Sequence, residues 1–378
     1  MNTFQKFIQY YKPYKKVFIF DLICAAFISL VDLAYPQILR SLTKTLFLKD
    51  ASTILKTLPV IGGILFICYV FQAFCKYYVS CQGHIMGAQM ERDMRRKLFD
   101  HYENLSFSYY DQHNTGQMMS RLVSDLFDIS EAAHHGPENL FISLVKIVGS
   151  FIFLFIIQWK LAIILLVIVL LMIFFSAKQN RRMQATFLDN RRKIGDINAS
   201  LQDSLAGIRI VQSFANEDIE GEKFRLGNEA FLDSKRDNYH AMGSFQSGNT
   251  FFQGMMYLVT LLAGGYFIAL GQMSAADLAM YALYIGIFIS PIQILVELTE
   301  MIQKGMSGFI RYQAIIDIEP EITDCVDAVD MKHPDGDICY HDVSFSYEDN
   351  EIVLNHIDFT IKSGKSVALV GPSGGEKT

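Results

Sequence analysis

Apolar residues in this chain gather into about six stretches, running approximately from Val17 to Leu39, Thr57 to Tyr77, Leu140 to Ile157, Leu161 to Ala177, Gly248 to Leu270 and Met280 to Val296. A helix crossing the hydrocarbon of a bilayer needs roughly 20 mostly apolar residues, and each stretch comes near that length. The fourth and fifth carry no charge. Backbone groups in lipid must bond internally, so the stretches are predicted to be helices; none alternates in the manner of a transmembrane barrel.

Between them, polar segments are spaced unevenly. About sixty residues separate the second stretch from the third and about seventy the fourth from the fifth, whereas the third and fourth are joined through little more than Gln158, Trp159 and Lys160. The long connections hold Arg92, Arg95, Arg96, Lys97 and Arg121, then a second group from Lys178 to Arg236, while Gly271 to Ala279 has no Lys or Arg. By the positive-inside rule both termini and both long connections are expected in the cytoplasm, with Arg40, Lys44, Lys49 and Lys56 dissenting. Gln82 to Asn104 and Asn180 to Ser204 contain few Gly and no Pro and keep a helical spacing, so the membrane helices are predicted to continue into the cytosol. About 25 further residues would carry such a helix roughly 35 Å beyond the bilayer.

Composition agrees with lipid as part of the solvent: 51% of the 378 residues are hydrophobic, 19% are charged, and 30 are Phe, with a mean hydropathy of +0.23. A formal net charge of -6 argues against nucleic acid as a partner. Lys12, Lys15 and Lys16 precede the first run as in a signal peptide, but that run is long, includes Asp21 and Asp32, and lacks a small-residue cleavage site, so a retained first span is expected. Cys24, Cys68, Cys75, Cys81, Cys325 and Cys339 form no CxxC pair and are read mainly as small buried hydrophobes.

Ionisable residues inside spans are costly and point to function. Asp32 and Glu297 are candidates for substrate or proton contact, the alternatives being a helix-to-helix pair or a water-exposed position. Glu300 follows just beyond Pro291, which is expected to kink its helix. Asp21 and Lys146 lie nearer span ends and are expected to snorkel. His134 and His135 show no set of partner ligands and are expected to be solvated loop residues.

Two segments of the long connections, LSFSYYDQHNTGQMMSRLVSDLFDI from Leu105 to Ile129 and SLAGIRIVQSFANEDIEGEKF from Ser204 to Phe224, resemble the intracellular loops of type I ABC exporters. The resemblance extends over essentially the whole chain. It implies short coupling helices near Ser108 to Asn114 and Ser213 to Glu220 that dock on ATP-binding domains. It also implies a second half-transporter as partner, in a homodimer or heterodimer, and a small hydrophobic, lipid or peptide substrate moved across a bacterial cell membrane.

After the last span, Glu319 to Asp337 is acidic and holds Pro320, Pro334 and Gly336, as a linker does. Ile338 to Tyr347 and Ile352 to Ile361 then alternate like strands about a turn at Glu348 to Asn350. Val367 to Val370 reads as a further strand, directly before a glycine-rich turn ending in Lys and Thr, the context of a P-loop. Gly371, Ser373, Gly374 and Gly375 would cradle phosphates, Lys377 would reach the outer phosphates and Thr378 would hold Mg²⁺. The resemblance makes Tyr347 the ring that stacks on adenine.

Glu376 departs from the pattern GxxxxGK[ST], which has glycine there. A side chain obstructs close backbone approach, and a carboxylate repels phosphate. The resemblance places the helix after the loop, the Walker B acid, the catalytic Glu, the LSGGQ signature and the switch His downstream of this loop, and the about forty residues from Ile338 onward are expected to bury too little to fold such a domain alone.

The expected fold class is thus an all-α polytopic membrane domain with six transmembrane helices extended into the cytosol, followed by the first β-strands of an incomplete α/β P-loop ATP-binding domain. Residues 1–315 form the membrane domain, 316–337 the linker and 338–378 the fragment. Family members use ATP and Mg²⁺; this chain alone is expected to bind ATP weakly or not at all. A non-catalytic membrane protein that dimerises without transporting is the alternative expectation.

Overall fold

Helix ends in this protein are set by local chemistry. Asp50 begins one helix by accepting the Thr53 N–H at 2.9 Å. Hydrogen bonds from Ser52 and then Thr53 hold its carboxyl down to about 2. Ser274 begins another with a capping box, its Oγ accepting the Asp277 N–H at 3.3 Å while the Asp277 carboxylate accepts the Ser274 N–H at 3.0 Å.

The computed structural model describes residues 3–332, 336–346 and 352–368, and it divides into two units, Met1–Pro320 and Glu321–Thr378. The first is helical throughout: α1 (Thr3–Gln9), α2 (Lys15–Ser41), α3 (Ala51–Tyr78), α4 (His84–Tyr102), α5 (Phe107–Gln112), α6 (Thr115–Ser120), α7 (Leu126–Ala206), α8 (Ile208–Ser213), α9 (Glu217–Ala269) and α10 (Ala275–Ile316). Among the described residues five continuous helical segments are long and apolar enough to cross a membrane.

The six apolar stretches fit into five segments because α7 carries two of them. Gln158, at φ -155° and ψ 98°, leaves helical geometry in its middle. The neighbours show that the chain reverses there. Before Gln158, Leu154 lies against Tyr281, Phe151 against Phe288 and Asp125 against Arg311, so this half runs antiparallel to α10. After it, Leu161 lies with Leu278 around Gly264, and Asn180 reaches the Val296 carbonyl, so the second half runs parallel to α10. The short connection expected at Gln158, Trp159 and Lys160 is this reversal. By contrast α10 continues through Pro291 without any residue leaving helical geometry.

One core lies between the two halves of α7 and α10, with Leu154, Leu161, Tyr281, Tyr284 and Phe288 completely buried. A second joins α4, the start of α7 and the end of α10 through Met90, Met94, Leu98, Leu126, Ile129, Phe309 and Tyr312. Phe7, Tyr10 and Tyr11 of the N-terminal segment pack against it, and Tyr11 donates to the Ala133 carbonyl at 2.6 Å. Backbones approach closely at Gly305 and Gly308, whose missing Cβ atoms would lie 2.9 Å from the Asp128 carbonyl oxygen and 3.1 Å from that of Asp125. Arg311 then grips Asp125 with bonds of 2.7 and 2.6 Å.

Much apolar surface remains outward, as in Phe66, Ile156 and Phe174, and α3 buries only Cys75. In water this would be an aggregation liability; around a bilayer it is the lipid-facing surface. The cysteines differ from the uniform expectation. Cys24 and Cys75 are buried, Cys68 and Cys81 half-buried, and Cys325 and Cys339 exposed, because the last two lie outside the helical packing.

The second unit contains β1 (Ile338–Ser346) and β2 (Ile352–Ile361), paired antiparallel with Ile338 opposite Ile361 and Tyr340 opposite Phe359. The Tyr340 and Phe359 rings stack at 4.5 Å. Asp342 and His356 take positive φ where the register shifts. Val367 and Ala368, expected to open a further strand, are irregular.

Candidate functional site

Three arrangements bear on function: the turns at the ends of the long helices, polar groups within the apolar layer, and a histidine cluster. The first turn forms where α4 ends. Asn114 starts α6 by accepting the Gly116 N–H at 2.7 Å, and Tyr109 of α5 is buried with its ring stacked on His113 at 4.1 Å. Phe107, by contrast, is 87% exposed. At the second turn α7 stops at Gly207, α8 follows, and the chain passes through Phe214, Ala215 at φ 50° and Asn216 into α9. The short helix therefore lies at Ile208–Ser213, upstream of the expected segment, and Ser213 to Glu220 is a turn plus the first turn of α9. Glu217, Asp218 and Glu220 favour a helix start there, since acidic residues complement the positive end of the dipole. Ile210 and Phe214 of this second turn are exposed. Two short elements that present apolar side chains outward are suited to seat on another protein surface.

Within the apolar layer, Asp32 of α2 meets Lys146 of α7 at 2.6 Å and accepts from Gln72 of α3 at 2.8 Å, so one carboxylate ties three helices. Lys146, expected to snorkel, instead points to this partner and is only 19% exposed. Asp32 also lines a pocket of about 210 Å³ with Val31, Tyr35, Tyr69, Leu283 and Ile287. Glu297 is exposed and is not among the residues of that pocket, whereas Glu300 pairs with Lys304 at 2.6 Å. Asp32 and Glu297 are therefore not brought together in one site by this chain alone.

Asp277 was not singled out by the sequence. It is buried at the start of α10 and receives Arg40, near the end of α2, at 2.6 Å and Lys44, in the turn of helix just after it, at 2.5 Å. These are two of the cations that dissent from the positive-inside pattern, and their partner explains them. The signal available beforehand was the Ser274 and Asp277 capping pair, which marks the helix start but not the cations.

His134 and His135 lie in α7, not in a loop, and His134 is 4% exposed. The expectation of solvated residues fails because α7 begins at Leu126, which turns His134 inward toward α4. There it meets His84, with ring centroids 4.6 Å apart. Asp21, also expected to snorkel, is buried beside Gly83. Tyr347, Gly371, Ser373, Gly374, Gly375, Glu376, Lys377 and Thr378 lie outside the described residues.

Comparison with known proteins adds to this geometry. The family model for the ABC transporter transmembrane region matches residues 18–292. A Bacillus subtilis protein described as the uncharacterized ABC transporter ATP-binding protein YwjA is 36% identical over 375 residues, which cover 99% of this chain and 64% of that protein. An ATP-dependent lipid A-core flippase of Syntrophus aciditrophicus is 24% identical over 378 residues, covering 100% of this chain and 62% of the flippase. The chain thus spans less than two thirds of the length of these relatives.

Proposed function

Because the chain belongs to the ABC transporter transmembrane-region family, we propose that it is the membrane-spanning part of an ATP-driven type I exporter. Its substrate is a hydrophobic or amphipathic molecule, with a lipid favoured by the flippase among its relatives. The observation that carries this reading is the pair of short turns with outward apolar side chains, Phe107 on one and Ile210 and Phe214 on the other. In a dimer of two such halves, these turns transmit closure of the ATP-binding domains to the long helices. Opposite faces of the membrane then gain access in alternation, and hydrolysis resets the pair. Both termini and both turns lie in the cytoplasm of a bacterial cell in this arrangement, following the basic residues of the long connections.

The residues of the apolar layer would do the sorting. A pocket walled by Tyr35, Tyr69 and Leu283 accepts an apolar body, while the Asp32 carboxylate, already neutralised by Lys146, offers a polar contact to a headgroup. Glu297 is proposed as a second contact, reached only across a dimer.

Nucleotide would stack on Tyr347, with phosphates on the backbone of Gly371, Ser373, Gly374 and Gly375 and on Lys377, and Mg²⁺ on Thr378. Mg²⁺ would neutralise developing phosphate charge when bound. Glu376 at the glycine position favours a second reading for this chain, weak or absent ATP binding and no transport of its own. A melting curve of the purified chain in submillimolar MgATP checks it: no shift is expected, and clear stabilisation would contradict weak binding. For the exporter reading, inside-out vesicles hold this membrane region joined to an intact ATP-binding domain. ATP-dependent uptake of a fluorescent lipid is expected there, and Phe107→Asp and Phe214→Asp should abolish it without lowering the melting temperature. Full uptake by both variants would remove the coupling role.

A further inference from the structure

The histidines of α4 and α7 form a group that export does not call upon. His84, at the first position of α4, and His134 and His135, on the first turns of α7, each offer a ring nitrogen, and these atoms all lie within 4.8 Å of one another. The ring centroids of His134 and His135 are 4.0 Å apart, and those of His84 and His135 are 4.9 Å apart.

His134 is prepared as a ligand. Its Nδ1 lies 2.8 Å from the Ser130 carbonyl oxygen. A carbonyl only accepts, so Nδ1 carries the proton and Nε2 keeps its lone pair. That Nε2 is buried and has no hydrogen-bond partner. An imidazole whose second nitrogen donates to a backbone carbonyl, leaving the first free, is the usual arrangement of a metal-binding histidine. Without a ligand, the same buried lone pair stays unpaired, which is unfavourable.

The neighbouring charges suit a cation. Glu131 and Glu138 place carboxylate oxygens 3.8 and 4.0 Å from the two nitrogens of His135, too far for hydrogen bonds, so these carboxylates do not tie up either nitrogen. Asp21 of α2 brings a second buried, unpartnered atom, its Oδ1, beside Gly83 and within electrostatic reach of His84. Lys76 is the opposing charge in range. Zinc-to-nitrogen bonds of about 2.0–2.1 Å place tetrahedral ligand atoms roughly 3.3 Å apart, so closing the set needs movements of about 1.5 Å at most, within the scope of side-chain rotation.

We propose that His84, His134 and His135 bind one borderline divalent metal ion, Zn²⁺ or a close neighbour such as Co²⁺ or Ni²⁺. A nearby carboxylate or water completes the coordination. Nitrogen ligands select these ions over Mg²⁺ and Ca²⁺, which take oxygen. The ion would clamp α4 to α7, the helices that precede and follow the first outward turn, and so would restrict their relative movement.

The test uses the whole chain purified in detergent with an affinity tag free of histidine. Titration with Co²⁺ is expected to give one equivalent bound with the visible absorption of tetrahedral nitrogen coordination, and Zn²⁺ should displace it and raise the melting temperature. His84→Gln and His135→Gln, the less buried pair, should each weaken binding roughly tenfold or more while leaving the metal-free melting temperature unchanged. Equal binding by the wild type and the double variant would overturn the proposal, as would a sulfur-to-cobalt charge-transfer band pointing to Cys24 or Cys75. If the double variant fails to fold, the wild-type spectrum decides: no tetrahedral absorption overturns it.

Discussion

Gly305→Ala adds a single methyl group where α10 crosses α7. The new Cβ would sit 2.3 Å from the Ala132 Cβ and 2.9 Å from the Asp128 carbonyl oxygen. Carbon atoms pack at about 3.5–4.0 Å, and neither neighbour can rotate away, so the two helices must part locally by roughly 1 Å. Overpacking of this kind costs about 1–3 kcal/mol. Replacing a helical glycine by alanine returns up to about 1 kcal/mol, leaving a net loss of up to about 2 kcal/mol and a deficit of about 1–3 kcal/mol against an unobstructed Gly→Ala change. Separation also strains the adjoining contacts, the close approach of the backbones at Gly308 and Asp125 and the Arg311 bonds to the Asp125 carboxylate. Thermal unfolding of the protein in detergent, followed by helical circular dichroism, should show Gly305→Ala melting several degrees lower. Gly195→Ala, on an exposed part of α7 with nothing within 4 Å of the added atom, should melt at or slightly above the wild-type temperature. If Gly305→Ala melts as high as Gly195→Ala, the close approach of α7 and α10 is not present.

Three further outcomes are expected. Asp277→Ala leaves Arg40 and Lys44 without their buried partner and removes half of a capping box, a loss of about 3 kcal/mol seen as a lowered melting temperature; a change near zero would mean the cations are solvated instead. Lys146→Met strands the Asp32 carboxylate, so the double variant with Asp32→Asn should be more stable than Lys146→Met alone; strictly additive effects would deny the pair. The Asp50 carboxyl is held to about 2 in the folded chain, below its ordinary 3.8, so its stabilising share is complete above about pH 4 and disappears as the pH falls through the folded value. Acid melting curves of Asp50→Asn should therefore fall less steeply between those limits than the wild type; parallel curves would show that the cap contributes nothing.

Most of the helical architecture was legible because the relevant signals are local. Hydrophobic runs of sufficient length, the near absence of residues between Ile157 and Leu161, and basic residues concentrated in two connections all survive in the structure as long helices and a reversal at Gln158. The second short helix was placed too late in the chain, since its position depends on Gly207 and on Ala215 at positive φ, a conformation that alanine rarely takes. His134 was misread for a related reason: two adjacent histidines in a polar segment look solvated until the rotation of α7 about its axis is known.

Pairing lay beyond the reach of the linear pattern. Asp32 and Lys146 are separated by more than a hundred residues, as are Arg40 and Asp277, and nothing in either segment names the other. The sequence alone determined where the chain must be helical, because lipid forces each backbone group to bond within its own segment, and it determined the resemblance carried by the two connections and the glycine-rich turn. Tertiary structure decided which side chains meet. That depends on how each helix is rotated and how far it is shifted along its neighbours, and both are set by the packing of Tyr281, Tyr284 and Phe288 and by the close approach at Gly305 and Gly308.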